Sequence, residues 1–336
     1  MHKIKKNSTV FIVFLILSNS LFGLNKDIFN LNTSLHFGLL NGTINEYVFS
    51  DESKNTDNLM SRLDWDVYFV PFIQGDVNLT FFKYIHLGLN GRIGIPTVSG
   101  YMQDYDWLNS TPPSEIYEHW KKEDPTELTN YSIHNNEINL YFNWGIELGG
   151  NINTPIDLNI IPYIGFQNDY IEMAAYGGYG LYKPYQESKH PFDGKVISYS
   201  QLLYAMSIGL KLNYDICNIV PVRFNLKIVP LVGKMTALDM HYTRSDKSPY
   251  GLAFGDFYEN PLIYEFNLSV GYKVNKHLNF SLSSFIQYMP LIKGVTGNGA
   301  IDKNGRPPKV IPISKGAMGG AGRFIYSVSL GAQFRL

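Results

Sequence analysis

Between Val222 and Tyr242 the chain alternates. Val222, Phe224, Leu226, Ile228 and Val232 are apolar, and Arg223, Asn225, Lys227 and Gly233 between them are polar or small. The same odd-numbered face then carries Ala237, Asp239 and His241. A period of two belongs to a β-strand, whose successive side chains point to opposite sides. One long strand therefore has an apolar face, a polar face and, where the polar face ends, an Asp and a His two residues apart. The pattern recurs along the chain. Leu35, Phe37 and Leu39 alternate with His36, Gly38 and Leu40, and Ile85, Leu87, Leu89, Ile93 and Ile95 with His86, Gly88, Asn90, Arg92 and Gly94. Near the C-terminus Phe324, Tyr326, Val328, Leu330 and Phe334 share one face, opposite Arg323, Ser327, Ser329 and Gln333.

Taken in order, the alternation predicts about ten strands, joined by short and long connections in turn. Phe82–Tyr84, Asn153–Ile156, the region of Cys217 and Val274–His277 read as tight turns. Asp51–Asn58, Asn109–Asn130, Tyr176–Gly194, Thr243–Gly255 and Asn298–Ala317 read as long polar or glycine-rich loops. Pro290, inside the ninth strand, must sit where no ladder donor is needed. An even strand number with alternating short and long connections is the pattern of bacterial outer-membrane barrels. A soluble sandwich is the other fold such alternation allows, but its strands are usually ~5–6 residues long, and no helical segment is present to cover an apolar face. Closure in lipid pairs every backbone group, as a bilayer demands. The expected fold is all-β: a ten-stranded antiparallel transmembrane β-barrel that extends above the outer membrane surface, because its strands exceed the ~9–11 residues needed to cross.

The N-terminus agrees. Met1-His-Lys-Ile-Lys-Lys6 is basic, Val10–Leu17 is apolar and Ser18–Gly23 is small-residue rich, which reads as a cleaved signal peptide over residues 1–23. Residues 24–336 are then a single barrel domain. The one cysteine, Cys217, excludes an internal disulfide and any cysteine-built zinc site. A net charge of −1 argues against nucleic acid as a partner. The histidines show no pair at ligand spacing on one face, so no metal is expected. Outer-membrane lipid is the expected surrounding.

Counted from a periplasmic N-terminus, odd-numbered strands run outward. Asp104 and Asp106 end the third, Asp239 and His241 end the seventh, and Glu46 lies near the end of the first. Each falls on the polar face of its strand and at the outer rim. A lone Asp-x-Asp or Asp-x-His is more often a solvated strand end than a site; here the argument rests on all five sharing one rim and one face. An Asp and a His facing each other across a barrel mouth could hold and deprotonate a water, with the His as base.

The stretches Gly38–Val48, Ser61-Arg-Leu-Asp-Trp65, Gln103-Asp-Tyr-Asp-Trp107 with Asn109-Ser110, and Asp239-Met-His-Tyr242 together resemble the omptin family of outer-membrane endopeptidases over nearly the whole mature length. The resemblance implies a ten-stranded barrel with its groove at the extracellular end. It also implies that a water lies between Asp104 and His241, supported by Asp106 and Asp239, and that cleavage of peptides or proteins at the cell surface falls near basic residues. Glu46 matches one of two acids that read the basic residue. The second falls where this chain has Ala237, which predicts weaker or altered basic selectivity, since arginine pairs best with a doubled acidic site. The family uses lipopolysaccharide as an activator, but Ala175–Gly178 and Tyr199–Leu203 lack the basic residues that would hold it, so no lipopolysaccharide dependence and no other cofactor is expected. Two further functions fit a barrel of this kind: a surface adhesin with weak catalysis, and a small porin. Against the porin, Arg92, Arg223, Lys227 and Glu265 could pair and plug a narrow lumen.

Overall fold

The computed structural model describes residues 28–50, 59–107, 128–182, 189–229, 232–243, 249–309 and 311–335. The predicted signal peptide, the loop Asp51–Asn58 and the Asn109-Ser110 motif lie outside them. No helix occurs among the described residues.

Ten staves form the wall. The first two are β1 (Phe29–Ser50) and β2 (Leu59–Phe81); the third is β3 (Ile85–Gly94) continued as β4 (Thr97–Asp106). The fourth is β5 (Asn130–Gly150). After the two-residue β6 (Ile152–Asn153) comes the fifth, β7 (Asn159–Tyr182), then the two-residue β8 (His190–Pro191) and the sixth stave, β9 (Lys195–Ile216). The seventh is β10 (Val220–Val229) continued as β11 (Gly233–His241), and the eighth is β12 (Leu252–Glu259) followed by β13 (Ile263–Lys273). β14 (Leu278–Ala300) and β15 (Ile313–Arg335) complete the ring. Neighbours pair antiparallel all the way round, and β15 closes onto β1 over Asn32↔Arg335 to Ser50↔Ala317. The sheet has no free edge along this ring, which is what spanning lipid with strands requires.

The side chains sort as the alternation predicts. At the short-turn end, Leu35, Phe37, Leu39, Leu89, Ile93, Leu148, Ile164, Ile208, Leu282 and Leu330 point outward and are exposed. They form an apolar belt, bounded above by aromatic residues: Tyr264 pairs with Tyr288, and Tyr288 with Phe324. Above that girdle the outer wall turns polar, with Asn45, Arg62 and Asp64 joined by hydrogen bonds. This is the outward face of an outer-membrane barrel whose upper part stands clear of the bilayer.

The two faces exchange parity at bulges, which period counting does not register. In β2 the lower inward residues are even (Phe72, Gln74, Asp76) and the upper ones odd (Leu63, Trp65, Val67). The switch falls at Phe69, an exposed residue with φ of 52°, whose N–H donates to Asn41 Oδ1 at 3.0 Å. A one-residue slip moves a whole strand's side chains to the other face. In the third stave, Ser99 is buried out of phase, and Gly100 at φ 67° restores the phase, so Met102 and Asp104 face inward. Pro290 occupies the register shift between Met289 and Ile292, as its missing donor requires. Three predicted loops prove shorter: β12 begins at Leu252 rather than after Gly255, β14 runs on to Ala300 with β15 starting at Ile313, and β7 continues to Tyr182. In each the glycines that read as loop are accommodated inside strands.

The lumen is filled by charge pairs. Arg323, 2 % exposed, binds Asp169 at 2.6 Å, Gln287 at 3.0 Å and Gln201 at 2.6 Å. Lys227 binds Glu265 at 2.6 Å, and Lys211 binds Glu147. Arg92 lies over the rings of Phe72 and Phe285, 4.7 and 4.2 Å from their centroids. A cavity of about 520 Å³, lined by Asn32, His36, Asn78, Arg223 and Ser329 among others, opens toward the short-turn end. The ion-paired layer lies between that vestibule and the upper rim. Planar-bilayer recordings of the refolded protein are therefore expected to show no steady ion conductance; a sustained open level would contradict this packing.

Candidate active site

The register places the predicted residues level with one another. Asp104 on β4 pairs with Leu63 on β2, Leu63 with Glu46 on β1, and Glu46 with Ala321 on β15. Asp104 and Glu46 therefore sit in one row, two strands apart, both on inward positions. On the seventh stave, Asp239 pairs with Tyr199 of β9 and with Phe254 of β12, and His241 with Ile197 and Leu252. The third and seventh staves both run away from the short turns, so all these residues lie at the same end.

Asp239 and His241 meet directly: His241 Nε2 lies 2.5 Å from Asp239 Oδ2. The ring packs edge-on against Phe254, with centroids 5.5 Å apart. With Nε2 turned to the carboxylate, Nδ1 is the nitrogen left to take a proton. Asp104 Oδ1 accepts from Ser61 Oγ at 3.5 Å. Asp106 Oδ2 accepts from Asn130 Nδ2 at 3.4 Å, and its carbonyl accepts from the Thr129 N–H at 2.8 Å, which fixes the strand end that carries both aspartates.

Glu46 is 1 % exposed, and among the described residues its Oε2 has no hydrogen-bond partner; Asp239 Oδ1 is likewise buried and has none among them. Burial pushes the Glu46 carboxyl well above the usual carboxylate range, and the charges of Asp239, Asp256 and Asp104 push it the same way. Those three carboxylates thus act on one point, although they come from the seventh, eighth and third staves. His134 adds a base on the fourth stave. Its Nδ1 bonds the Gly177 carbonyl at 2.5 Å and its Nε2 faces Ser132 Oγ at 2.8 Å. Burial lowers its pKa, the Gly177 bond opposes that, and the nearby His241 lowers it further. Beneath lies an apolar floor in which Trp65 and Tyr199 stack at 5.8 Å across the lumen. Gln201 donates to the Tyr199 hydroxyl at 2.9 Å and accepts from Arg323, tying the floor to the ion-paired layer.

Asp256 is the residue that pattern reading missed. It is buried, it pairs in register with Ala237, and its Oδ2 accepts from the Tyr258 hydroxyl at 3.0 Å. Burial raises its pKa to about 6, with a further push from Asp239, against hydrogen bonds from Thr296 and Tyr258. It sits in Gly251-Leu-Ala-Phe-Gly-Asp-Phe-Tyr258, where glycines and aromatics blur any alternation. A carboxyl whose folded pKa exceeds its unfolded value favours the fold only while protonated, so that contribution is lost as pH rises through about 6. A rise of this size from the ordinary carboxylate value corresponds to about 3 kcal/mol at most. Asp256→Asn is therefore expected to raise the denaturant midpoint at pH 8 and to leave it nearly unchanged at pH 4.

A closed ten-stave barrel with an apolar outer belt, an acidic basin and an Asp–His pair at its upper rim defines an outer-membrane barrel protein. The Omptin family profile matches residues 26–336. The chain belongs to the Omptin family. It is 26 % identical over 340 residues to the plasminogen activator of Yersinia pestis, covering 98 % of this chain and 99 % of that protein. It is 26 % identical over 192 residues to protease 7 of Escherichia coli (strain K12), covering 55 % of this chain and 56 % of that one. The crystal structure of the outer membrane protease OmpT from Escherichia coli superposes with a TM-score of 0.75 at 19 % identity, over 91 % of this chain and 97 % of that one. The relatives make this an outer-membrane protein of a protease family.

Proposed function

We propose that this barrel is a surface endopeptidase that cleaves peptide bonds near basic residues with a water held between Asp104 and His241. The observation that carries this reading is the direct His241–Asp239 contact at the barrel end where Asp104 also enters. His241 takes a proton from the water as its oxygen attacks the peptide carbonyl carbon, and returns it to the departing amine, so protons balance over the cycle. Asp239 orients the imidazole. Asp104 orients the water, and Asp106 supports the strand end beside it. Glu46 offers a buried carboxyl to a cationic side chain of the substrate. The acidic basin faces the extracellular side, where peptide and protein substrates are met.

The test is hydrolysis of a fluorogenic peptide with a dibasic centre by the refolded barrel. Absence of cleavage, with specific retention of host protein on the same preparation, would favour the adhesin reading.

Hydrolysis is further expected to persist without lipopolysaccharide. Above the girdle, the outward positions on the fourth to sixth staves include Asn135, Glu137, Tyr170, Glu172, Ser198 and Ser200. Phosphorylated lipid needs cations there; these six positions carry none, and the nearby Lys189 and Lys195 lie over the rings of Tyr179 and Tyr242. Activity that requires added lipopolysaccharide would refute the expectation.

A further inference from the structure

The Tyr199 hydroxyl is pushed up first by its burial and then by the charges of three carboxyls around it, Glu46, Asp256 and Asp239. All three carboxyls are themselves buried. Among the described residues, the charges that shift Glu46 are the negative ones of Asp239, Asp256 and Asp104. Buried like charges without a counterion are unfavourable, and two of the carboxylate oxygens, on Glu46 and Asp239, have no partner among the described residues. Such a basin suits an extended organic cation that reaches in from the rim.

We infer that Asp256 is the second selectivity carboxylate of the basin: with Glu46 it grips the guanidinium of a substrate arginine, standing in from the eighth stave for the acid that Ala237 does not supply on the seventh. This rests on the reading of the basin as a peptide-cleaving site. Ala237 and Asp256 are register partners, so an acid at either position projects into the same lumen region. Ala237 itself is buried and offers only a methyl there. On the far side Gly319 is required: a Cβ there would collide with the Asp256 carboxyl, so the glycine lets that group lean toward β15 and, beyond it, β1. Tyr258 and Thr296 hold one side of the carboxyl. Two carboxylates from separate walls match the forked donors of arginine better than the single charge of lysine.

The experiment compares peptides that differ only in arginine or its uncharged isostere citrulline before the scissile bond, using the refolded full barrel. Wild type should favour arginine, and Asp256→Asn should lower the arginine-to-citrulline ratio of kcat/KM at least ~10-fold, the worth of a charge-assisted pair. Gly319→Ala should lower the ratio as well. Ala237→Asp in the Asp256→Asn background should restore it, which a merely structural role for Asp256 would not do. An unchanged ratio in Asp256→Asn, or a wild-type ratio near one, overturns the inference. If wild type hydrolyses neither peptide, affinities for the same pair with a non-hydrolysable bond decide. Arginine preference lost in Asp256→Asn then keeps the inference and removes the endopeptidase reading, and equal affinities remove both.

Discussion

His241→Ala and Asp104→Ala are each expected to lower kcat for a dibasic peptide by about 10²–10⁴-fold, the usual worth of a positioned general base, without unfolding the barrel. The imidazole is held from one side by Asp239 and packed on another by Phe254. Its loss removes the proton acceptor and leaves Asp239 without its partner. Asp104 works from the other wall, so its loss leaves the base intact and the water unheld. The two changes belong to one step, and the double variant should be little worse than the worse single one. Migration of the unheated protein on gels, which reports barrel closure, controls for folding. Residual activity within tenfold of wild type in either variant would place the chemistry elsewhere, with His134 on the fourth stave the next base to test.

The second large effect concerns stability. Arg323→Leu should destabilise the barrel by about 3–5 kcal/mol, because it strands a buried charge on Asp169. Asp169 is 0 % exposed, and its remaining described hydrogen bond comes from Asn143 at 3.0 Å. Adding Asp169→Asn to Arg323→Leu should recover most of the loss, since an amide does not need a counterion. Urea unfolding in detergent measures both. A single variant as stable as wild type would mean that water reaches Asp169 and that the layer is not closed.

Much of this molecule is legible in its residues alone. The alternation locates all ten staves, their short turns and the inward face of the last stave, because a barrel wall between lipid and a polar lumen imposes period two on nearly every residue. The common placement of Asp104, Asp106, Asp239, His241 and Glu46 at one rim is legible for the same reason, from phase and strand direction. What is not legible depends on geometry between distant segments. Arg323 and Asp169 are 154 positions apart, and no local pattern joins them. The bulges at Phe69 and Gly100 invert phase with a single backbone torsion, which composition does not encode. Asp256 hides directly after a stretch that reads as loop, in a run of glycines and aromatics without clear alternation. Ala237 is visible as a departure, but its register partner is not.

The ring closes only through the pairing of β15 with β1. The acidic half of the proposed site and its imidazole half lie on staves three and seven, and neither wall has a fixed distance from the other until that seam forms. An unsealed sheet would thus carry the side chains of both halves without holding them at one spacing.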